Sequence, residues 1–295
     1  MTTMKDMIAD ARRMAYGSMS EQMNLIGAVA AAGATSIVLD MDVSGITPGM
    51  ILSSGLNIWY VRGTEASTKT VFVIPGIDNA PTAAVALNDF VYVKPRVTDF
   101  YLFDIINTEI GRLSSPENGL YRIDSWTEAV DATYQTYDIP TADAAAMIGL
   151  LRVRYRMPGT TDVWIDIPEK SYRLQMNDGT SRIRLLRNIP SGTDIQFLYK
   201  ASFTKATALT DDALTVCGLS DSLVDIPPLG ALGTLMRSTE SRRNQVQTQG
   251  DARRASEVNS GPNLTSAQLA DRDYKSRVQE EYIRLVQRVS ITRSM

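Results

Sequence analysis

The chain has 295 residues and not one histidine. That removes the usual general base near neutral pH, the commonest transition-metal ligand and the usual partner of a catalytic serine. Cysteine is nearly absent too: Cys217 stands alone in the apolar run ALTVCGL. One cysteine cannot make an intramolecular disulfide or a cysteine-based zinc site, so its expected role is a small buried hydrophobe. No apolar run reaches the roughly 18 residues of a membrane-spanning helix. The opening MTTMKDMIADARRM carries charges throughout, with no apolar secretion-signal core. Work or assembly inside a cell is the simplest expectation, with no membrane partner. Charge of one sign is lacking as well. With 30 basic and 33 acidic residues the net charge is −3, too small to draw the chain onto DNA or an anionic membrane.

Catalytic motifs are equally scarce. No G-x-x-x-x-G-K-[ST] loop occurs, no G-x-G-x-x-G follows a strand, and no G-x-S-x-G elbow appears. Acidic pairs do occur at Asp40/Asp42, Asp211/Asp212 and Glu280/Glu281. Paired carboxylates serve glycoside hydrolysis only at a set separation in space. Asp40 and Asp42 are two apart on an expected strand, which favours a solvated face. Asp42, Asp78 and Asp178 lie near turns, yet none begins an EF-hand loop, so turn chemistry is their expected role. No cofactor or metal is expected, and an enzyme is not.

What remains is an ordinary globular composition, 44% hydrophobic and 21% charged, in a chain long enough for about two domains of roughly 150 residues. Met4, Met7, Ile8, Ala11 and Ala15 recur at helical spacing, and Met23 to Ala32 gives a second apolar stretch, so residues 1–34 read as N-terminal helices. Residues 35–96 change to short β-rich runs (SIVLDMDV, IWYVRGTE, TVFVIPG, FVYVKP) between turn clusters, the pattern of a small bent sheet or barrel. Residues 97–115 return to helix, capped by Thr98 or Asp99 and stopped at Ser114-Ser115-Pro116. Residues 116–206 are β again. Leu151, Val153, Tyr155 and Met157 alternate with Arg152, Arg154 and Arg156, as on a strand with one dry and one wet face, and an antiparallel β-sandwich is expected.

Residues 207–295 read as a C-terminal helical region with an extended arm. Asp211-Asp212 opens a short helix to Gly218. Pro227-Pro228 starts a longer one, and Thr265 or Ser266 caps a last one to about Val289. The fold class expected is therefore α+β, a helical core from both chain ends and the middle with two inserted β modules.

Two apolar stripes call for cover: Leu229, Leu232 and Leu235 on one helix, and Ala267, Ala270, Tyr274, Val278, Tyr282, Leu285 and Val289 on the next. Between them lies an arginine-rich polar stretch with Arg237, Arg242, Arg243, Arg253 and Arg254. It reads either as a solvated linker or as an arm that orders when it docks on a neighbouring subunit, which offsets the entropy of ordering. The Arg152/Arg154/Arg156 stripe reads as a solvated strand face, or as an intersubunit ion-pair strip or a contact to passing DNA. Trp59, Tyr60, Trp126, Tyr134, Tyr137 and Trp164 fall mostly in strands and read as core, with a carbohydrate-binding row of rings as the alternative.

The pieces VDIPPLGALG and QGDARRASEV, with LLRVRYR, VWIDI, YRLQM and RLLRNIPSGTDIQFLYKASF before them, resemble virion proteins of siphophages that infect actinobacteria. The likeness runs over about residues 120–290. It implies a head-to-tail adaptor: a homo-oligomeric ring, usually twelve-fold, below the portal in the neck between capsid and tail. Such a ring, assembled in the host cytoplasm, extends the DNA channel without sequence-specific binding and docks the next neck or tail protein. Simple adaptors are smaller and lack the two β modules, so a stopper, tail terminator or distal-tail role stays open. The resemblance implies assembly residues on the two apolar stripes and in the charged arm.

Overall fold

A computed structural model describes residues 2–17, 22–130, 136–160, 163–177, 180–190, 192–248 and 262–293. The chain is mixed α+β and divides into two compact units, one from residues 1–110 with 205–295, the other from residues 111–204.

The first unit opens with helix α1, Met4–Tyr16. Thr3 caps it: its hydroxyl accepts the Asp6 N–H at 3.3 Å while the Asp6 carboxylate accepts the Thr3 N–H at 2.8 Å. Met4, Met7, Ile8 and Ala11 are buried along one face. Strands β1 (Met23–Leu25), β2 (Ser36–Val38), β3 (Ile51–Ser54), β4 (Asn57–Glu65), β5 (Thr70–Pro75) and β6 (Phe90–Val93) then form a six-stranded antiparallel sheet in the order β1-β6-β3-β4-β5-β2. The sheet curls into a half-barrel around Ile37, Leu52, Trp59, Val71 and Val91. A register shift between Val61 and Gly63 on β4 adds local bend. The two edge strands meet just past their ends, where Gly27 N–H donates to Val38 O and Asp40 N–H to Leu25 O, each at 2.8 Å.

The helix expected over Met23–Ala32 is corrected by this sheet. Met23–Leu25 pairs with Phe90–Tyr92, and Ala30 bridges Val85. Alanine favours helix, but this stretch has no polar face to wet, Gly27 interrupts it and Gly33 ends it. Buried Asn24 then ties the strand down, its side-chain oxygen accepting the N–H groups of Leu25 at 2.8 Å and Met41 at 3.0 Å.

Helix α2, Asp99–Leu113, follows. Thr98 takes the capping position, accepting the Tyr101 N–H at 3.3 Å. Leu102, Phe103, Ile106 and Ile110 are buried.

The second unit contains β7 (Arg122–Ala129), β8 (Thr136–Asp138), a short helix α3 (Thr141–Ala146), β9 (Met147–Arg156), β10 (Trp164–Ile167), β11 (Tyr172–Asn177), β12 (Thr180–Leu185) and β13 (Asp194–Ala201). One antiparallel sheet runs β10-β9-β13-β7 and the other β11-β12-β8. Their inner faces share one core. Trp126 and Phe197 stack at 4.5 Å between ring centroids, and Tyr137 from the smaller sheet meets Phe197 at 5.4 Å. Alternation on β13 explains the packing: Ile195, Phe197, Tyr199 and Ala201 point inward and the residues between them do not.

Back in the first unit, residues 211–218 form turns rather than the expected short helix. The Asp211 carboxylate accepts the N–H groups of Thr207 at 2.7 Å and Ala208 at 2.9 Å, so it staples a loop instead of capping a helix. Helix α4 spans Ile226–Thr248 and α5 spans Pro262–Arg293. The last helix starts earlier than expected because Pro262, which needs no N–H partner, sits in its first turn.

Candidate assembly surfaces

Helices α4 and α5 pack together as a hairpin, and the residues on the apolar stripes divide into two groups. Leu235 is buried, Leu229 and Leu232 are half-buried, and Ala267, Ala270, Tyr274 and Val278 are buried. The stripe's cover comes from within one copy as far as Val278, so Leu235, Tyr274 and Val278, expected on an assembly surface, are core instead. Beyond that point the cover ends. Tyr282 is 44% exposed, Ile283 49%, and Leu285 is half-buried.

Gly230 and Gly233 let neighbours close onto α4. A Cβ on Gly230 would lie 2.7 Å from the Glu109 carboxylate of α2, and one on Gly233 would lie 2.5 Å from the Asp271 carboxylate of α5. Glycine costs about 1 kcal/mol against alanine in a helix interior, so close packing is what offsets it here. The LGALG piece carried that signal, and the periodicity reading passed over it.

The cover ends at an ionic knot that sequence reading missed. Arg277 donates to both oxygens of Asp225, at 2.9 and 3.2 Å, to Glu280 at 2.8 Å, to Glu281 at 3.4 Å and to the Ser222 carbonyl at 3.0 Å. Glu281 is buried and also accepts from Arg284 at 2.5 Å and from the Ser222 hydroxyl at 3.0 Å. Hydrogen bonds to Asp225 and Glu280 push the Arg277 pKa above its already high ordinary value, so its charge is permanent. Asp225 immediately precedes α4. Past Glu281, α5 therefore runs on beyond the start of its partner helix.

The charged arm is only partly described. Arg237 pairs with Asp271 at 2.6 Å on the exposed side of the hairpin. Arg242 and Arg243 fall within α4, while Arg253 and Arg254 lie outside the described residues.

The arginine stripe on β9 is occupied from within its own sheet. Arg152 pairs with Asp166 at 3.2 Å and Arg156 with Asp194 at 2.9 Å, and Arg154 donates to Gln196 at 2.7 Å. Arg154 and Arg156 also lie over the Trp164 ring, at 5.1 and 5.3 Å from its centroid. Register explains the grouping: Trp164 is opposite Arg156, and Asp166 and Gln196 are opposite Arg154. The solvated face is what this geometry favours over a strip held open for DNA.

Other candidates disperse. Asp40 and Asp42 sit in a bend after β2 rather than on it, and Asp42 accepts the Ser44 N–H at 3.0 Å in a turn. Hydrogen bonds from the Ser44 hydroxyl and N–H hold the Asp42 carboxyl below the usual carboxylate range. Asp78 has φ 56 inside the short 3-10 segment Ile77–Asn79, and Asp178 lies outside the described residues. Among the described residues no group of three Cys, Asp or Glu side chains is placed to hold a metal ion. No described helix is long and apolar enough to cross a membrane. Trp59, Trp126 and Tyr137 are core, Tyr60 is exposed and Trp164 lies under two guanidinium groups, so these rings form no flat row. Tyr134 lies outside the described residues. Cys217 is fully buried, and burial with the nearby Asp211 and Asp212 pushes its thiol up to about 11.

No protein-family profile matches the chain, and no curated protein matches it as a relative.

Proposed function

We propose that the chain is a structural virion protein, a head-to-tail adaptor. Its copies form a ring, twelve-fold, below the portal, extend the DNA channel and dock the next neck or tail protein. The observation that carries the reading is the α5 helix outrunning α4, which leaves Tyr282 and Ile283 exposed on a helix whose preceding turns are core. A helix that is apolar past the end of its cover is stabilised by a further partner. The likeness of residues 120–290 to siphophage virion proteins supplies the kind of partner. The function resides in surfaces repeated by symmetry, with no chemical step. DNA passes through without sequence-specific contact, in keeping with the arginine stripe being taken up by Asp166, Asp194 and Gln196.

The test is to mix the purified chain with portal rings and to measure mass and symmetry by native mass spectrometry and electron microscopy. Twelve copies bound to one face of the portal are expected. A six-fold ring that ignores the portal would move the protein to a tail position. A monomer that binds neither portal nor itself would overturn the reading.

A further inference from the structure

Two segments of the first unit carry opposite charge. From residue 206 to 236 the chain has Asp211, Asp212, Asp221 and Asp225 and no basic residue. From residue 282 to 295 it has Arg284, Arg288 and Arg293 and no acidic one. Each segment is also apolar at its surface. The loop that leads into α4 exposes Val216 and half-exposes Leu214 and Val224, with Asp221 exposed in the same loop. The end of α5 exposes Tyr282 and Ile283.

The knot fixes where these segments start. Asp225 and Ser222 hold Arg277 and Glu281, so α5 leaves its own acidic loop at Glu281 and continues to Arg293. At 1.5 Å per residue, residues 282–293 reach about 18 Å further. Residues 282–287 of the tail are exposed or half-buried, so the acidic loop at the tail's own base does not cover them.

We infer that the tail of α5, residues 282–293, docks on the acidic, apolar loop 209–225 of a second copy of this chain. The occupant follows from two observations. The tail continues the same stripe that α4 covers as far as Val278, so it asks for the same kind of apolar cover. Its positive charge matches residues 206–236, which carry only negative charge, and such matching steers and registers association. Tail and loop are different surfaces, so the contact is head-to-tail and propagates from copy to copy until a ring closes. The inference rests on the assembly reading above and names the surfaces that join the copies.

The test uses two full-length variants. One carries Tyr282→Asp with Ile283→Asp and loses the tail surface. The other carries Val216→Arg with Asp221→Arg and loses the loop surface. All four positions are exposed, so both variants keep the wild-type circular dichroism spectrum and melting temperature. Wild type assembles, and each variant alone sediments as a monomer at a concentration where wild type does not. Mixed in equal amounts, the two variants form a two-copy complex, since one intact tail meets one intact loop. Assembly of either variant alone would overturn the inference. So would a mixture that stays monomeric, or a wild-type chain that is monomeric both alone and with portal. A wild type that assembles through these surfaces yet ignores portal rings would sink the adaptor reading and leave this contact standing.

Discussion

Arg277 on α5 grips Asp225, the residue before α4, through both carboxylate oxygens at 2.9 and 3.2 Å. The pair sits at the rim of the helical hairpin, and its value comes from what else the guanidinium holds. Asp225 is half exposed, so Asp225→Asn is expected to cost under about 1 kcal/mol. Arg277→Ala also strips a charge partner from buried Glu281 and is expected to cost about 2–4 kcal/mol. Urea unfolding of both variants measures the difference, and equal losses would show that Glu281 does not depend on Arg277.

Gly230→Ala puts a methyl group 2.7 Å from the buried Glu109 carboxylate and 2.9 Å from its Cγ, so the clash is not confined to the tip of the side chain. A loss of about 1–3 kcal/mol is expected despite the better helix propensity of alanine. Gly233→Ala meets the end of the partly exposed Asp271 side chain, which can swing away, so its loss should be smaller and should include the Arg237 pair. Thermal melts rank the two.

Phe197→Ala removes the ring that Trp126 stacks on and Tyr137 leans against. It should cost about 3–5 kcal/mol. The loss falls on the sandwich. Hydrogen exchange should therefore rise across residues 122–201 while the amides of α1 and α2 stay protected. Uniform loss of protection would mean that the two units unfold as one.

Two carboxylates should give opposite pH slopes. Burial, then the nearby Asp138, raises the Glu128 pKa above 4.5. The folded state holds that proton more tightly than the unfolded state, so Glu128 lowers stability as pH rises above 4.5. Glu128→Gln should therefore stabilise at pH 7 and be neutral well below pH 4.5. The N–H groups of Thr207 and Ala208 lower the Asp211 pKa below 3.8. Its contribution is present above pH 3.8 and lost as pH falls through the folded value, so Asp211→Asn should destabilise at pH 7 and be neutral in strong acid. Melting temperatures across pH 3–7 check both signs.

The thiol of Cys217, fully buried and pushed up to about 11, should not react with Ellman's reagent at pH 8 in the folded chain. Reaction in full should follow on adding guanidinium chloride. Rapid labelling of the folded chain would show that the loop around Cys217 opens on its own.

Periodicity made much of this fold legible. The stripe Met4, Met7, Ile8, Ala11 and the inward Val153 and Tyr155 follow directly from where side chains point along a helix and a strand, but a register shift puts Leu150 rather than Leu151 on the core, and Met157, past the end of β9, is exposed. Met23–Ala32 misled because alanine-rich segments read as helix while the deciding contacts, to Phe90–Tyr92 and Val85, are far away in sequence. Periodicity also found the α5 stripe but could not say where α4 would stop covering it. That limit is set by Arg277 and Asp225, 52 residues apart, which no local pattern joins. The arginine stripe looked open for the same reason: its partners Asp166, Asp194 and Gln196 come from two other strands.

Asn107 and Ala206 are joined twice, the side-chain amide donating to the Ala206 carbonyl at 3.1 Å and the Ala206 N–H to the side-chain oxygen at 2.8 Å. The sandwich leaves and rejoins the chain between these two residues. This buried clasp holds the excursion's two feet together, so a change in the length of chain between them alters the loop-closure entropy little. The sandwich is thereby a cassette. Replacing residues 122–201 by a short flexible linker would leave both partners of the clasp in the chain.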